Sequence, residues 1–430
     1  MSSVTHFADR VHERTVGPCR LLTLETPAEQ VVSWRGSIQT NPDLGAGDDL
    51  RQEMVVSLLD KGTQHRDRFA LAKVLEDCGA QLDLSSDGLY IDISGRALRD
   101  DVPEVMAVVA EMLREPLFDP AEFEKARAQA IAQVQRELED TKTQAASALT
   151  RALYPADHPN YTPPPEEQIE QLQQMTIDEV RDYHAAHVGA TEFTFVFVGD
   201  IDDAAIESAI ETHFGDWAPH EAPATHTGDA LVPSDGQSVV PMPDKQNIDV
   251  RMGHALDVRR DDDDYLPLYV GNYILGGNFS ARLMATIRDE MGLTYGINSG
   301  LSGMSTRYDG HWQVGVTLSG DKLEEGLVAT RSEVKRFVDD GITEEELDAK
   351  KTTITGSYTV GLATTGRLAR SILTNAERGF DVSYLDEFPA EVEALSLDDV
   401  NRAVRAHFHP DRFHTAMAGT VPEAAGADAR

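Results

Sequence analysis

Apolar positions fall into two periods along the chain. Alternating or short continuous apolar stretches in CRLLTLE (19–25), EQVVSWRGSIQ (29–39) and EFTFVFVG (192–199) predict strands, and AQLDLSSDGLYIDISGRAL (80–98) predicts a hairpin. Helical spacing dominates LRQEMVVSLLD (50–60) and RFALAKVLEDCG (68–79), and further helices are expected from about Val102 and Phe123. This order predicts an antiparallel sheet with helices packed on one face, an α+β domain.

The pattern then recurs. MTIDEVRDYHAAHVGATEFTFVFVGD, beginning at Met175, aligns without a gap on LSLDDVNRAVRAHFHPDRFHTAMAGT, beginning at Leu395, an offset of 220 that sets Asp178 on Asp398, His187 on His407 and Gly199 on Gly419. Each copy reads as a helix with an N-cap at Thr176 or Ser396 and an acidic first turn, followed by an apolar strand. The helical stretches from Asp119 and from Ile342 form a second corresponding pair. Between the copies, the segment from Ala218 is rich in Pro, Gly, Ser and Asp, as linkers are. Two tandem homologous α+β domains are therefore expected, 1–224 and 225–430.

Charge narrows the partners. Asp (42) and Glu (32) outnumber Arg (29) and Lys (9), giving a net charge of −36 spread along the whole chain. Such a surface repels nucleic acid and anionic lipid. At molar salt the screening length falls to about 3 Å and the self-repulsion largely disappears. The excess of Asp over Glu and of Arg over Lys resembles proteins of salt-in halophiles, so the charge reads as adaptation to solvent. The run Asp261–Asp264 lacks the spaced ligands of a calcium loop and reads as solvated. No long apolar run suggests a membrane span, and the first residues carry neither a basic start nor an apolar stretch, so a cytoplasmic protein without a secretory signal is expected. Cys19 and Cys78 are too few for a disulfide framework and read as structural.

Two stretches carry candidate chemistry. RQEMVVSLLDKGT (51–63) is a helix ending in a glycine turn, and LGGNFSARLMATIRDEMGLTYGINSG (275–300) holds Arg288 and Tyr295 seven residues apart. With the tandem architecture, these stretches resemble the zinc peptidases of the pitrilysin, insulinase and mitochondrial processing peptidase family. In that family the inverted motif H-x-x-E-H supplies two zinc ligands and a general base just before a similar turn. Counting back from Lys61–Gly62–Thr63, the resemblance places the motif on Glu53, Val56 and Ser57, and the third ligand, aligned through FEKAR at 123–127, on Gln133. Glu137 or Glu139 would need a shifted alignment. A carboxylate, an aliphatic side chain, a hydroxyl and a neutral amide stand where two histidines and two glutamates would be. Valine cannot accept a proton.

The second half keeps what the first has lost. The resemblance implies that the two domains form half of a clamshell and that Arg288 and Tyr295 reach into the zinc site formed by the other half, where both can donate hydrogen bonds to a peptide carbonyl and its oxyanion. Their bland reading is a surface arginine and a core tyrosine. His184 with His187, and the group His407, His409 and His414, read as packing residues rather than metal ligands, and Gly276–Gly277 as a tight turn rather than a phosphate loop. The expected function is the non-catalytic subunit of a heterodimeric zinc endopeptidase, with no cofactor of its own. Zinc and H-x-x-E-H would reside in the partner, and the substrate would be a peptide or unfolded polypeptide adding a strand to the partner's sheet. The alternatives are a non-proteolytic scaffold or peptide-binding protein of the same fold, or a self-sufficient peptidase with unusual ligands around Glu53.

Overall fold

The computed structural model describes residues 6–27, 30–40, 43–220 and 236–422. The chain divides into two compact units: Met1–Ala132, Gln168–Ala224 and Ser357–Pro389 form the first, and Gln133–Glu167, Thr225–Gly356 and Ala390–Arg430 the second. The contiguous halves 1–224 and 225–430 therefore need correction, because the segments Gln133–Glu167 and Ser357–Pro389 belong to the unit of the opposite half. Of the expected linker from Ala218, residues 221–235 lie outside the described residues, and Gln237–Pro241 near its end is a strand, which corrects that part of the reading.

In the first unit the strands are β1 (His12–Val16), β2 (Cys19–Glu25), β3 (Val31–Gln39), β4 (Gln81–Ser86), β5 (Tyr90–Leu98) and β6 (Thr194–Gly199), in the order β1-β2-β6-β3-β5-β4. The second sheet comprises β7 (Gln237–Pro241), β8 (Asn247–Ala255), β9 (Ile297–Ser302), β10 (His311–Ser319) and β11 (His414–Gly419), in the order β7-β11-β8-β10-β9. Only β2–β6 and β7–β11 pair in parallel among these strands. The helices are α1 (Asp48–Leu59), α2 (Arg68–Asp77), α3 (Val102–Arg114), α4 (Pro120–Glu137), α5 (Thr141–Leu153), α6 (Pro165–Gln174) and α7 (Ile177–His187). They continue as α8 (Asp203–Phe214), α9 (Tyr265–Gly276), α10 (Leu323–Asp340), α11 (Glu344–Gly361), α12 (Thr365–Glu377), α13 (Tyr384–Ala394) and α14 (Leu397–His407). No helix among the described residues is long and apolar enough to cross a membrane.

Strand alternation explains why each sheet needs cover on both faces. Along β6, Phe195 and Phe197 point one way, and Phe195 packs against Phe193 and against Phe214 of α8. Val196 and Val198 point the other way and, with Leu22 and Leu24 of β2, are covered by Leu368, Ala369, Ile372 and Leu373 of α12. In the second unit Ala416 of β11 meets Ala148 and Leu149 of α5, and Ala418 meets Ala145. Its opposite face carries Trp312, stacked on Phe408 at 3.9 Å between ring centroids. The helix layer read from the local pattern thus covers one face, and α12 or α5 covers the other. An apolar stripe requires burial but does not name the sheet that buries it.

The internal repeat is a structural one. Helix α7 followed by β6, and α14 followed by β11, keep the offset of 220. Both helices start in a reciprocal capping box, Thr176 with Glu179 and Ser396 with Asp399. Both strands end on a glycine of positive φ, Gly199 at 147° and Gly419 at 143°.

Candidate functional site

The motif helix α1 is built as a packing element. It buries Leu50, Met54, Val55, Leu58 and Leu59, and Gln52 is held by two hydrogen bonds: its Nε2 donates to Thr40 Oγ1 at 2.6 Å and its Oε1 accepts from Gly88 N at 2.9 Å. Glu53, Val56 and Ser57 share one side of the helix by spacing. Glu53 and Ser57 are exposed, whereas Val56 is only 8% exposed and belongs to the core. Ser57 donates its hydroxyl back to the Met54 carbonyl at 2.8 Å. Gln133, on α4, donates to Glu137 Oε1 at 2.7 Å and accepts from Arg136, while Glu139 pairs with Lys245 at 2.9 Å.

These side chains do not fit a zinc ion. Zinc requires deprotonated sulfur, imidazole or carboxylate ligands converging on one point; a valine side chain and a back-bonded serine hydroxyl supply none. Among the described residues no group of three or more His, Cys, Asp and Glu is arranged to hold a metal. The turn that follows is retained for a structural reason. Gly62, at φ 139°, and Thr63 form bridges to Asp67 and Pro116, and Thr63 Oγ1 accepts from the backbone N–H groups of His65 and Arg66.

In the second unit, Arg288 lies in a π-helical segment, Met284–Glu290, and Tyr295 at a bend two residues before β9. Arg288 is half-buried and its guanidinium lies 3.5 Å from Asp289. Tyr295 is 98% exposed, so the core-tyrosine reading does not describe it. Its neighbours fix it in place: Thr294 donates its hydroxyl to Thr317 O at 2.6 Å and accepts from Gly296 N at 3.1 Å. An aromatic ring held in solvent on a pinned backbone is an available contact surface.

The rest of that signature serves as its mount. Gly276 is required by close approach, since a Cβ there would sit 2.4 Å from Ser299 N; no phosphate loop is formed. Arg282 donates to Glu346 through Nε and Nη2, 2.5 and 2.6 Å, and Nη2 also donates to Gly341 O. Lys350, on α11, donates to Asn278 Oδ1, Ser280 O and Ser280 Oγ. Sequence reading missed Glu346 and Lys350, whose only signal was their place on the helix that recurs from the first half.

The other polar candidates disperse. His184 is half-buried, bonds Leu113 O at 2.8 Å, and desolvation lowers its pKa; His187 stacks on Tyr183 at 4.5 Å. His407 bonds Asp264 and His414 bonds Ser238, while His254 accepts from His409 N. Asp264, from the acidic run, also pairs with Arg402 at 2.8 Å. Cys19 is fully buried, which pushes its thiol up to about 12; such a thiol is inert.

Two family models match the chain, that described as "Insulinase (Peptidase family M16)" over residues 54–162 and that described as "Peptidase M16 inactive domain" over residues 174–354. The chain belongs to peptidase family M16. It is a member that lacks the zinc motif. An "uncharacterized zinc protease" of Streptomyces coelicolor is 21% identical, covering 81% of this chain and 76% of that protein. A "non-peptidase homolog" of Helicobacter pylori is 23% identical over 86% of this chain and 84% of its own length. The crystal structure of a peptidase M16 inactive domain from Pseudomonas fluorescens superposes with a TM-score of 0.86 at 20% identity, covering 96% of this chain and 98% of that one. The relatives' names divide on activity. In this M16 chain the residues at the motif positions decide: it is a non-catalytic homologue.

Proposed function

We propose that this M16 chain is the non-catalytic subunit of a two-chain zinc endopeptidase. A homologous subunit with an intact H-x-x-E-H holds zinc and activates water, and this chain contributes Arg288 and Tyr295 to peptide binding and oxyanion stabilisation. The substrate is a peptide or unfolded polypeptide, and the complex works in the cytoplasm of a high-salt cell. The reading is carried by one contrast: Tyr295 stands fully exposed on a pinned segment, while Val56 closes the motif helix of the same chain. Retention of a presented donor pair beside a lost metal site is what a division of labour requires.

Co-purification from native extract at high salt followed by mass spectrometry tests the partnership. A peptidase subunit with H-x-x-E-H is expected. Arg288→Ala is expected to reduce peptide turnover of the reconstituted complex by about tenfold to a thousandfold, as loss of an oxyanion donor does; unchanged turnover refutes the role.

The second reading, a non-proteolytic scaffold or peptide-binding protein, is favoured by the name of the Helicobacter pylori relative, "non-peptidase homolog". It predicts a stable assembly that contains no peptidase.

A further inference from the structure

The first sheet has a polar region beside its apolar cover. Cross-strand pairing sets Arg35 opposite Ser94, which in turn faces Asp83, and sets Ser33 opposite Arg96. The N-terminal turn of α12 closes over this row, with Ser33 Oγ and Thr365 Oγ1 bonded at 2.8 Å. Between them lies a cavity of about 510 Å³, lined by Ser33, Arg35, Asp83, Ser94, Arg96 and Arg367 among others. That volume is within the range of small-ligand sites, roughly 300–1,000 Å³.

Its charge is out of keeping with the chain. The lining holds three guanidiniums against one carboxylate, an excess of two positive charges, on a protein of net charge −36. Among the described residues no ion pair or hydrogen bond engages the guanidinium of Arg35, Arg96 or Arg367, whereas those of Arg14, Arg66, Arg282 and Arg402 are each paired with acids. A fourth arginine, Arg370, lies near enough to Arg35 to join burial in lowering its pKa, with Asp92 and Asp83 opposing. Helix α12 adds to the field: its first turn holds no acidic residue, and Thr364 makes no side-chain cap. Clustered guanidiniums left without partners in an acidic protein raise the local potential and repel one another until an anion neutralises them.

The geometry points to a binding site for an oxyanion of about two negative charges, a carboxylate pair or a phosphate, held by Arg35, Arg96 and Arg367 with the Ser33, Ser94 and Thr365 hydroxyls as additional donors. Guanidiniums engage such groups through paired N–H donors. The site lies wholly within the first unit and does not depend on the partnership with a peptidase.

Titration calorimetry on the full chain, at constant ionic strength, tests it with three probes: inorganic phosphate, succinate, and an end-blocked pentaglutamate peptide with pentaglutamine as control. Saturable binding of at least one anion is expected, weakened about tenfold or more by Arg96→Gln or Arg367→Gln, the loss of one charge-assisted hydrogen bond. Arg402→Gln, in the second unit, is expected to change nothing. Binding of pentaglutamate alone assigns the site to acidic polypeptide, and binding of phosphate or succinate to a free anion. Arg96 and Arg367 are exposed, so their replacement leaves the packing intact even where Arg35→Gln disturbs the fold. No saturable binding of any probe, or equal binding by wild type and both variants, overturns the assignment.

Discussion

Arg282 and Glu346 meet through two parallel contacts, Nε to Oε1 at 2.5 Å and Nη2 to Oε2 at 2.6 Å, and so tie the segment that leads to Arg288 onto α11. Arg282 also lies over the Phe337 ring, 5.2 Å from its centroid. The pair is a structural support for the presented Arg288 and Tyr295, since neither member has to touch substrate for the segment to be held.

Removing that support has a pH signature. Burial raises the Glu346 pKa, but hydrogen bonds from Arg282 and from the backbone of Thr343 outweigh it and bring the group down to about 2. A depressed carboxylate stabilises the fold above its unfolded pKa, near 4.5, and the contribution is lost as pH falls toward 2. Arg282→Ala is expected to lower stability at neutral pH by about 1–3 kcal/mol and to remove this part of the acid transition. Chemical denaturation across pH 2 to 7 measures both, and an unchanged acid limb counts against the pair.

The presented tyrosine gives the converse result. Tyr295 is exposed, so Tyr295→Phe is expected to leave the unfolding midpoint of the isolated chain where it was. In the reconstituted complex, turnover should fall by about a hundredfold, the effect of one lost oxyanion donor. Kinetics and a thermal melt on the same preparation separate the two roles.

Restoring the base by itself should harm the protein. Val56 lies in the α1 core, and Val56→Glu introduces a carboxylate with no partner designed for it. A loss of about 2–4 kcal/mol is expected by urea denaturation. No zinc uptake should accompany it, as followed by metal analysis after dialysis.

A half-buried acid at the C-terminal end of α12, Glu377, sets a second pH dependence with the opposite sign. Burial pushes Glu377 up to about 7, with Asp92 and Asp87 adding to it and Ser37 and Arg378 opposing, and Glu377 Oε1 is buried without a hydrogen bond. Asp92 itself rises to about 6, chiefly by burial. A raised carboxylate favours the folded state below its unfolded pKa, and that advantage declines as pH climbs to the folded value. Stability should therefore fall between about pH 4 and 7, and Glu377→Gln should flatten this slope and stabilise the protein at pH 7 by roughly 1–3 kcal/mol. A denaturation series that keeps its slope in the variant disproves the assignment to Glu377.

Much of the molecule follows from local chemistry in the chain. The strand CRLLTLE became β2 without a change of boundary, and the capping residues Thr176 and Ser396 start α7 and α14. Hydrogen bonds between near neighbours and the two side-chain periods act within a few residues, so their signal survives in one dimension. That position 56 offers neither a metal ligand nor a base was legible for the same reason, since a valine side chain has no lone pair in any fold. β1, short and mostly polar, was missed because its HERTV pattern carries no apolar alternation.

Tertiary structure alone decided which sheet each apolar helix covers, that Tyr295 faces solvent, and that Arg35, Arg96 and Arg367 line one cavity. Residues 35, 96 and 367 come together only through strand register and the exchange of α12. Burial and register are properties of surfaces that meet across the chain, and the free energy that fixes them belongs to the pair of surfaces and to neither stretch of sequence alone.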